Sequence, residues 1–125
     1  MSATRHRVRG MTLNIEMVTF DATDPANLAG WWAEQFDGTA QELLPGEFFA
    51  VSRPDGPRLG FQKVADPTPG KNRVHLDFGA ADVDAEVSRL TAAGATEVGG
   101  RKISDDFRWV VLADPEGNVF CIAGR

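Results

Sequence analysis

From Leu13 to Asp21 apolar and polar residues interleave with a period near two, which predicts a half-buried strand. That segment runs into Asp24-Pro25, a residue suited to cap a helix followed by one suited to its first position. Leu28, Trp32 and Phe36 then recur at i, i+4 and i+8 and make one apolar stripe, with Trp31 flanking it and Gly38 as the expected stop. Three short β-type segments follow near 40–44, 47–53 and 58–64, with Pro54-Asp55-Gly56 as the turn between the last two.

The second half repeats this order. Residues 72–78 alternate, Asp82 is a candidate N-cap, and Asp84 and Glu86 suit the positive end of a helix. Val83, Val87 and Leu90 form its stripe and Gly94 closes it. Segments near 95–99, 106–113 and 118–123 follow, the last two joined by the turn Asp114-Pro115-Glu116-Gly117-Asn118. The two caps lie 58 positions apart and the turn glycines Gly56 and Gly117 lie 61 apart, as a tandem duplication requires.

The expected architecture is therefore α+β, with two tandem βαβββ modules forming a curved mixed sheet around one cleft. Module 1 spans 11–64, a Pro/Gly-rich linker 65–71, and module 2 72–125, together one domain preceded by a flexible basic arm at 1–10. Because successive strand residues point to opposite faces, Val18, Phe20, Leu76 and Phe78 should lie under the helices. Ile15, Met17, Thr19, Asp21, Arg73, His75 and Asp77 should then share the other face, which would line the cleft.

Composition narrows the function classes. With 125 residues, 42% hydrophobic and 25% charged, the chain has the profile of a globular domain able to bury a core. A net charge of -5 has the wrong sign for electrostatic binding of nucleic acid or an anionic membrane. Arg5, Arg7 and Arg9 concentrate positive charge in the arm, which lacks the apolar stretch of a secretory signal, so a cytoplasmic location is expected. Two His and one Cys rule out a Cys/His zinc cage and any disulfide within one chain.

The paired modules, the helix exit Gly94-Ala95-Thr96 and the hairpin WVVLADPEGNVFCIA resemble the vicinal oxygen chelate superfamily, and within it the glyoxalase-like domain proteins grouped with bleomycin-resistance proteins and dioxygenases. The resemblance covers about 11 to 124 and is most specific in NRVHLDFGAADVDAEVSRLTAAGA together with the DPEGN turn. It implies homodimerisation and a cleft holding a divalent metal, with one ligand from the first and one from the last strand of each module. His75, seven residues before Asp82, matches a ligand position. The corresponding residues are Met17 in the first strand, Cys121 in the last strand of module 2, and Gly60 or Gln62 in module 1, according to how its hairpin is aligned. If a metal is bound, His75 and Gln62 are the candidate donors.

Each candidate also has a plainer reading. His75 is a ligand, a general acid/base, or a hydrogen-bonded cleft residue, and Asp77 orients it, takes a proton from substrate, or is a solvated strand carboxylate. Cys121, between Phe120 and Ile122, reads first as a small buried hydrophobe and otherwise as a reactive thiol. Phe48 or Phe49, Phe107 and Trp109 fall on the middle strands, where alternate residues enter the cleft. The expected function is binding of a small, partly aromatic molecule, with or without a metal ion. His75 and Asp77 would serve as anchors, and Met17, Phe49, Phe61, Gln62, Trp109 and Cys121 as the other contacts. The alternatives are a metal-dependent lyase, isomerase or dioxygenase with His75 and Asp77 as catalytic groups, and a dimeric accessory domain with no small ligand.

Overall fold

The structure is a computed structural model that describes residues 14–70, 72, 74–104 and 107–124, with backbone alone at 101–104 and 107. The basic arm, Lys71 and Arg73 lie outside the described residues. The elements are β1 (Met17–Ala22), α1 (Pro25–Gln35), β2 (Thr39–Leu44), β3 (Phe48–Ser52), β4 (Arg58–Lys63), β5 (Leu76–Ala80), α2 (Val83–Ala92), β6 (Thr96–Ser104), β7 (Phe107–Ala113) and β8 (Val119–Gly124). The fold is α+β, and the eight strands form two four-stranded sheets rather than one, ordered β1-β4-β3-β2 and β5-β8-β7-β6. The chain divides into two compact units after Pro67.

In module 1, β1 runs parallel to β4, while β3 is antiparallel to both β4 and β2. Asp24 caps α1 by accepting from the Asn27 backbone N–H at 3.2 Å, with Pro25 at the first turn. The apolar stripe of α1, Leu28, Ala29, Trp32 and Ala33, is buried against its own sheet. Phe20 stacks on Phe61 with centroids 5.3 Å apart and meets Trp32 at 6.0 Å. Trp32 in turn stacks on Phe36 at 5.9 Å, and the Arg53 guanidinium lies 5.4 Å over the Phe36 ring.

The helix ends one residue differently from the sequence expectation. Asp37, not Gly38, takes the left-handed conformation (φ 51°), and the Gly38 N–H donates to the Ala33 carbonyl at 2.9 Å. Gly38 is required for another reason: a Cβ there would stand 2.6 Å from the Ser52 carbonyl oxygen.

Module 2 repeats the plan. Asp82 caps α2 through the Ala85 N–H at 3.0 Å, and Asp84 and Glu86 occupy the first turn. The same C-terminal motif recurs with Gly94 left-handed (φ 117°) and the Ala95 N–H donating to the Leu90 carbonyl at 2.9 Å. Phe78 and Phe120 meet edge to face at 5.8 Å, and Leu90, Val110, Leu112, Phe120 and Ile122 are buried. The 114–118 turn is organised by Asp114, which is only 4% exposed. Its carboxylate accepts from the Glu116 and Asn118 N–H groups, each at 2.9 Å, and from the Asn118 side-chain amide at 2.8 Å. Among the described residues, no helix is long and apolar enough to cross a membrane.

Candidate functional site

Strand register assigns every side chain to a face of its own sheet. In module 1, Val18 and Phe20 stand beside Leu59 and Phe61, which stand beside Val51 and Phe49. Since Phe20 and Phe61 pack together and Phe20 meets Trp32 of α1, this whole set lies on the helix side. Phe61 is 0% exposed. Phe61, expected as a cleft wall, is therefore a core residue on the helix side, and Phe49, also expected as a wall, shares that side and is half-buried. Strand parity dictates this placement, because Leu59 and Phe61 alternate as Leu76 and Phe78 do. The aromatic on the other face is Phe48, paired with Gln62.

The helix-free face of module 1 carries Met17, Thr19 and Asp21 from β1, Arg58, Gly60 and Gln62 from β4, and Phe48 and Ala50 from β3. Met17 is half-buried, and Gln62 and Asp21 are exposed. The register also settles the alignment of the first hairpin. Asp77 pairs with Cys121 in module 2, and its counterpart 58 residues earlier, Thr19, pairs with Gly60. The equivalent of Cys121 is thus Gly60, and Gln62 corresponds to Ala123. Gly60 is buried, and a Cβ on it would stand 2.6 Å from Met17 Sδ and 2.8 Å from Thr19 Oγ1.

In module 2 the helix-free face carries Asp77 and Gly79 from β5, Cys121 and Ala123 from β8, and Trp109 and Val111 from β7. Trp109, Val111, Cys121 and Ala123 are all half-buried, and Asp77 is exposed. Cys121 accordingly faces away from the buried Phe120 and Ile122, so it is not a core hydrophobe. Register places Arg101 and Gly99 of β6 beside Trp109 and Val111. Phe107 begins β7, its side chain outside the described residues. Thr19 and Phe48, both expected on the helix-free side, lie there, and Val111 is an addition that alternation from Trp109 along β7 would have found.

His75 lies one residue before β5, half-buried, with Nε2 3.1 Å from the Asn72 carbonyl oxygen. A carbonyl only accepts, so in this contact Nε2 carries a hydrogen and donates it. Asn72 is a second residue that sequence reading passes over. Its side chain donates to the Val119 carbonyl at 3.2 Å and accepts the Val119 N–H at 2.8 Å, and it also donates to the Val74 carbonyl. One side chain thereby fixes the approach to β5 and the start of β8, the two strands beside which His75 and Cys121 sit.

A family model described as a glyoxalase-like domain matches residues 17–123. The chain belongs to this glyoxalase-like family of the vicinal oxygen chelate superfamily. No curated protein matches it in sequence. Solved structures share its fold at low identity. A glyoxalase/bleomycin resistance protein/dioxygenase family enzyme from Burkholderia phytofirmans PsJN superposes with a TM-score of 0.74 at 22% identity, covering 90% of this chain and 98% of that one. TioX from Micromonospora sp. ML1 gives 0.64 at 19%, covering 89% and 98%. Lactoylglutathione lyase from Agrobacterium tumefaciens gives 0.64 at 18%, covering 89% and 92%.

At the positions that the resemblance implies for a metal, this glyoxalase-like chain carries Met17 and Gly60 in module 1 and His75 and Cys121 in module 2. Module 1 supplies a thioether and a glycine with no side chain; module 2 supplies an imidazole and a thiol. Divalent ions of the Mg, Mn or Fe type prefer carboxylate, carbonyl and imidazole donors, so this set does not fit them. Among the described residues, no group of three or more His, Cys, Asp or Glu side chains is placed to hold a metal.

Proposed function

We propose that this glyoxalase-like protein binds a small, partly aromatic organic molecule against the helix-free faces of its sheets. The observation that carries this reading is the strip Trp109, Val111, Cys121 and Ala123, apolar yet only half-buried, with the exposed Asp77 beside it. Apolar contact area with a few polar groups at its border is the usual composition of a small-molecule site. Trp109 supplies a flat surface for stacking, and Asp77 and His75 supply orientation by hydrogen bonding. On module 1, Phe48, Met17, Thr19 and Gln62 offer a similar mixture of apolar surface and amide or hydroxyl groups.

The reading is tested by tryptophan-fluorescence titration with a panel of planar aromatic acids, quinones and quinolines, comparing the wild type with Trp109→Phe. At least one compound should quench the wild type saturably, and the response should be lost in the variant while both proteins melt cooperatively. No saturable response across the panel, or an equal response in Trp109→Phe, would overturn it.

A further inference from the structure

We infer that Met17 and Gly60 act as one unit, a thioether plug that excludes a metal donor from module 1 and presents a soft, apolar floor in its place. Three observations support this. Register makes Gly60 the counterpart of Cys121, so residue 60 is where β4 would carry a donor side chain. The space that such a side chain would enter is already occupied, since its Cβ would stand 2.6 Å from Met17 Sδ and 3.2 Å from Met17 Cγ. Met17 itself holds the β1 position that a ligand would need, and its sulfur is a weak acceptor unsuited to hard cations. The two substitutions are complementary: the methionine covers the glycine, and the glycine lets it lie flat against β4. Restoring a donor at 60 alone would require the thioether to move aside, and restoring one at 17 alone would leave the second donor missing. The inference stands independently of which organic ligand the sheet faces take.

The experiment combines a double-mutant cycle with a metal titration of the full chain. Gly60 has an ordinary strand φ, so alanine there meets no backbone strain and would ordinarily be tolerated or favoured in a strand. Because the thioether fills the space and must be pushed aside, Gly60→Ala should instead lower Tm by about 3–5 °C, at the lower end of what overpacking costs in a domain of this size. In the Met17→Ala background the same change should cost less than half that shift, the remainder coming from Thr19 Oγ1 at 2.8 Å. If Gly60→Ala fails to fold, folding of Met17→Ala/Gly60→Ala demonstrates the same coupling. Calorimetric titration of the wild type with Mn²⁺ and Ni²⁺ should show no stoichiometric uptake. An equal Gly60→Ala cost in both backgrounds, no cost in either, or one equivalent of Mn²⁺ or Ni²⁺ whose binding is lost in His75→Ala would each overturn the inference. None of these readouts involves the aromatic panel, so failure here is separable from failure of the ligand-binding reading.

Discussion

The side-chain amide of Asn72 pairs with the backbone of Val119 as another strand would, accepting its N–H at 2.8 Å and donating to its carbonyl at 3.2 Å. This substitutes for the ladder that β5 does not begin until Leu76. Asn72→Ala leaves both Val119 groups without that partner and should cost about 1–3 kcal/mol in urea denaturation. Asn72→Asp keeps an acceptor for the N–H but faces the Val119 carbonyl with a carboxylate oxygen, so it should recover little of the loss. Stability within about 0.5 kcal/mol of wild type for Asn72→Ala would show that water replaces the amide at no cost.

Asp114 is the buried acceptor of the β7–β8 turn, bonded to two backbone N–H groups and the Asn118 amide. Asp114→Ala should destabilise by about 1–3 kcal/mol, because it removes the acceptor of three partly buried donors. Since the turn sets the register that places Cys121 beside Val111, the same change should raise the reactivity of Cys121 toward a thiol reagent. Equal modification rates in variant and wild type at matched native conditions would show that β8 is held by its ladder alone.

Much of the fold is legible in the sequence because local chemistry and tertiary packing agree. The caps Asp24 and Asp82, the stripes led by Leu28 and Leu90, and the Asp114 turn all stand where periodicity predicts. What is not legible depends on contacts distant in sequence. The residues before β5 alternate like a strand, yet Asn72 ties its side chain to Val119, 47 residues away. Gly60 reads as one of two alignments until β1 is seen paired with β4, and its role depends on where the Met17 side chain lies. The choice between Phe48 and Phe49 is a parity question with a one-residue answer, and Phe61 decides it by packing on Phe20.

The two helices end in the same motif with different residues at its left-handed position, Asp37 in α1 and Gly94 in α2. An aspartate tolerates this conformation better than most residues but still strains against its Cβ. Asp37→Gly should therefore stabilise module 1 by about 0.5–1 kcal/mol in chemical denaturation, and Gly94→Asp should destabilise module 2 by a similar or larger amount. Gly38→Ala tests the other half of the assignment. Although it neighbours the left-handed residue, its cost should come from the Ser52 carbonyl, 2.6 Å from the new Cβ, and should loosen the α1–β3 contact. A destabilising Asp37→Gly would mean that the aspartate side chain contributes more than its backbone strain costs.

Phe61 and Trp109 separate the two faces experimentally. Phe61 is sealed between Phe20 and the helix side of module 1, so Phe61→Ala should cost about 3–5 kcal/mol through lost burial and a cavity. Trp109 is half-buried on a face that α2 does not cover and keeps part of its surface exposed, so Trp109→Ala should cost less than Phe61→Ala. The ligand response should follow the opposite order. A panel compound that binds the wild type should bind Phe61→Leu, which keeps the core filled, with little change in Kd. The same compound should lose at least tenfold in affinity for Trp109→Ala, measured by thermal shift or calorimetry so that the readout does not depend on the indole. If Phe61→Leu weakens binding as much as Trp109→Ala while remaining as stable as wild type, the ligand reaches the helix side of the sheet and the face assigned to it is wrong.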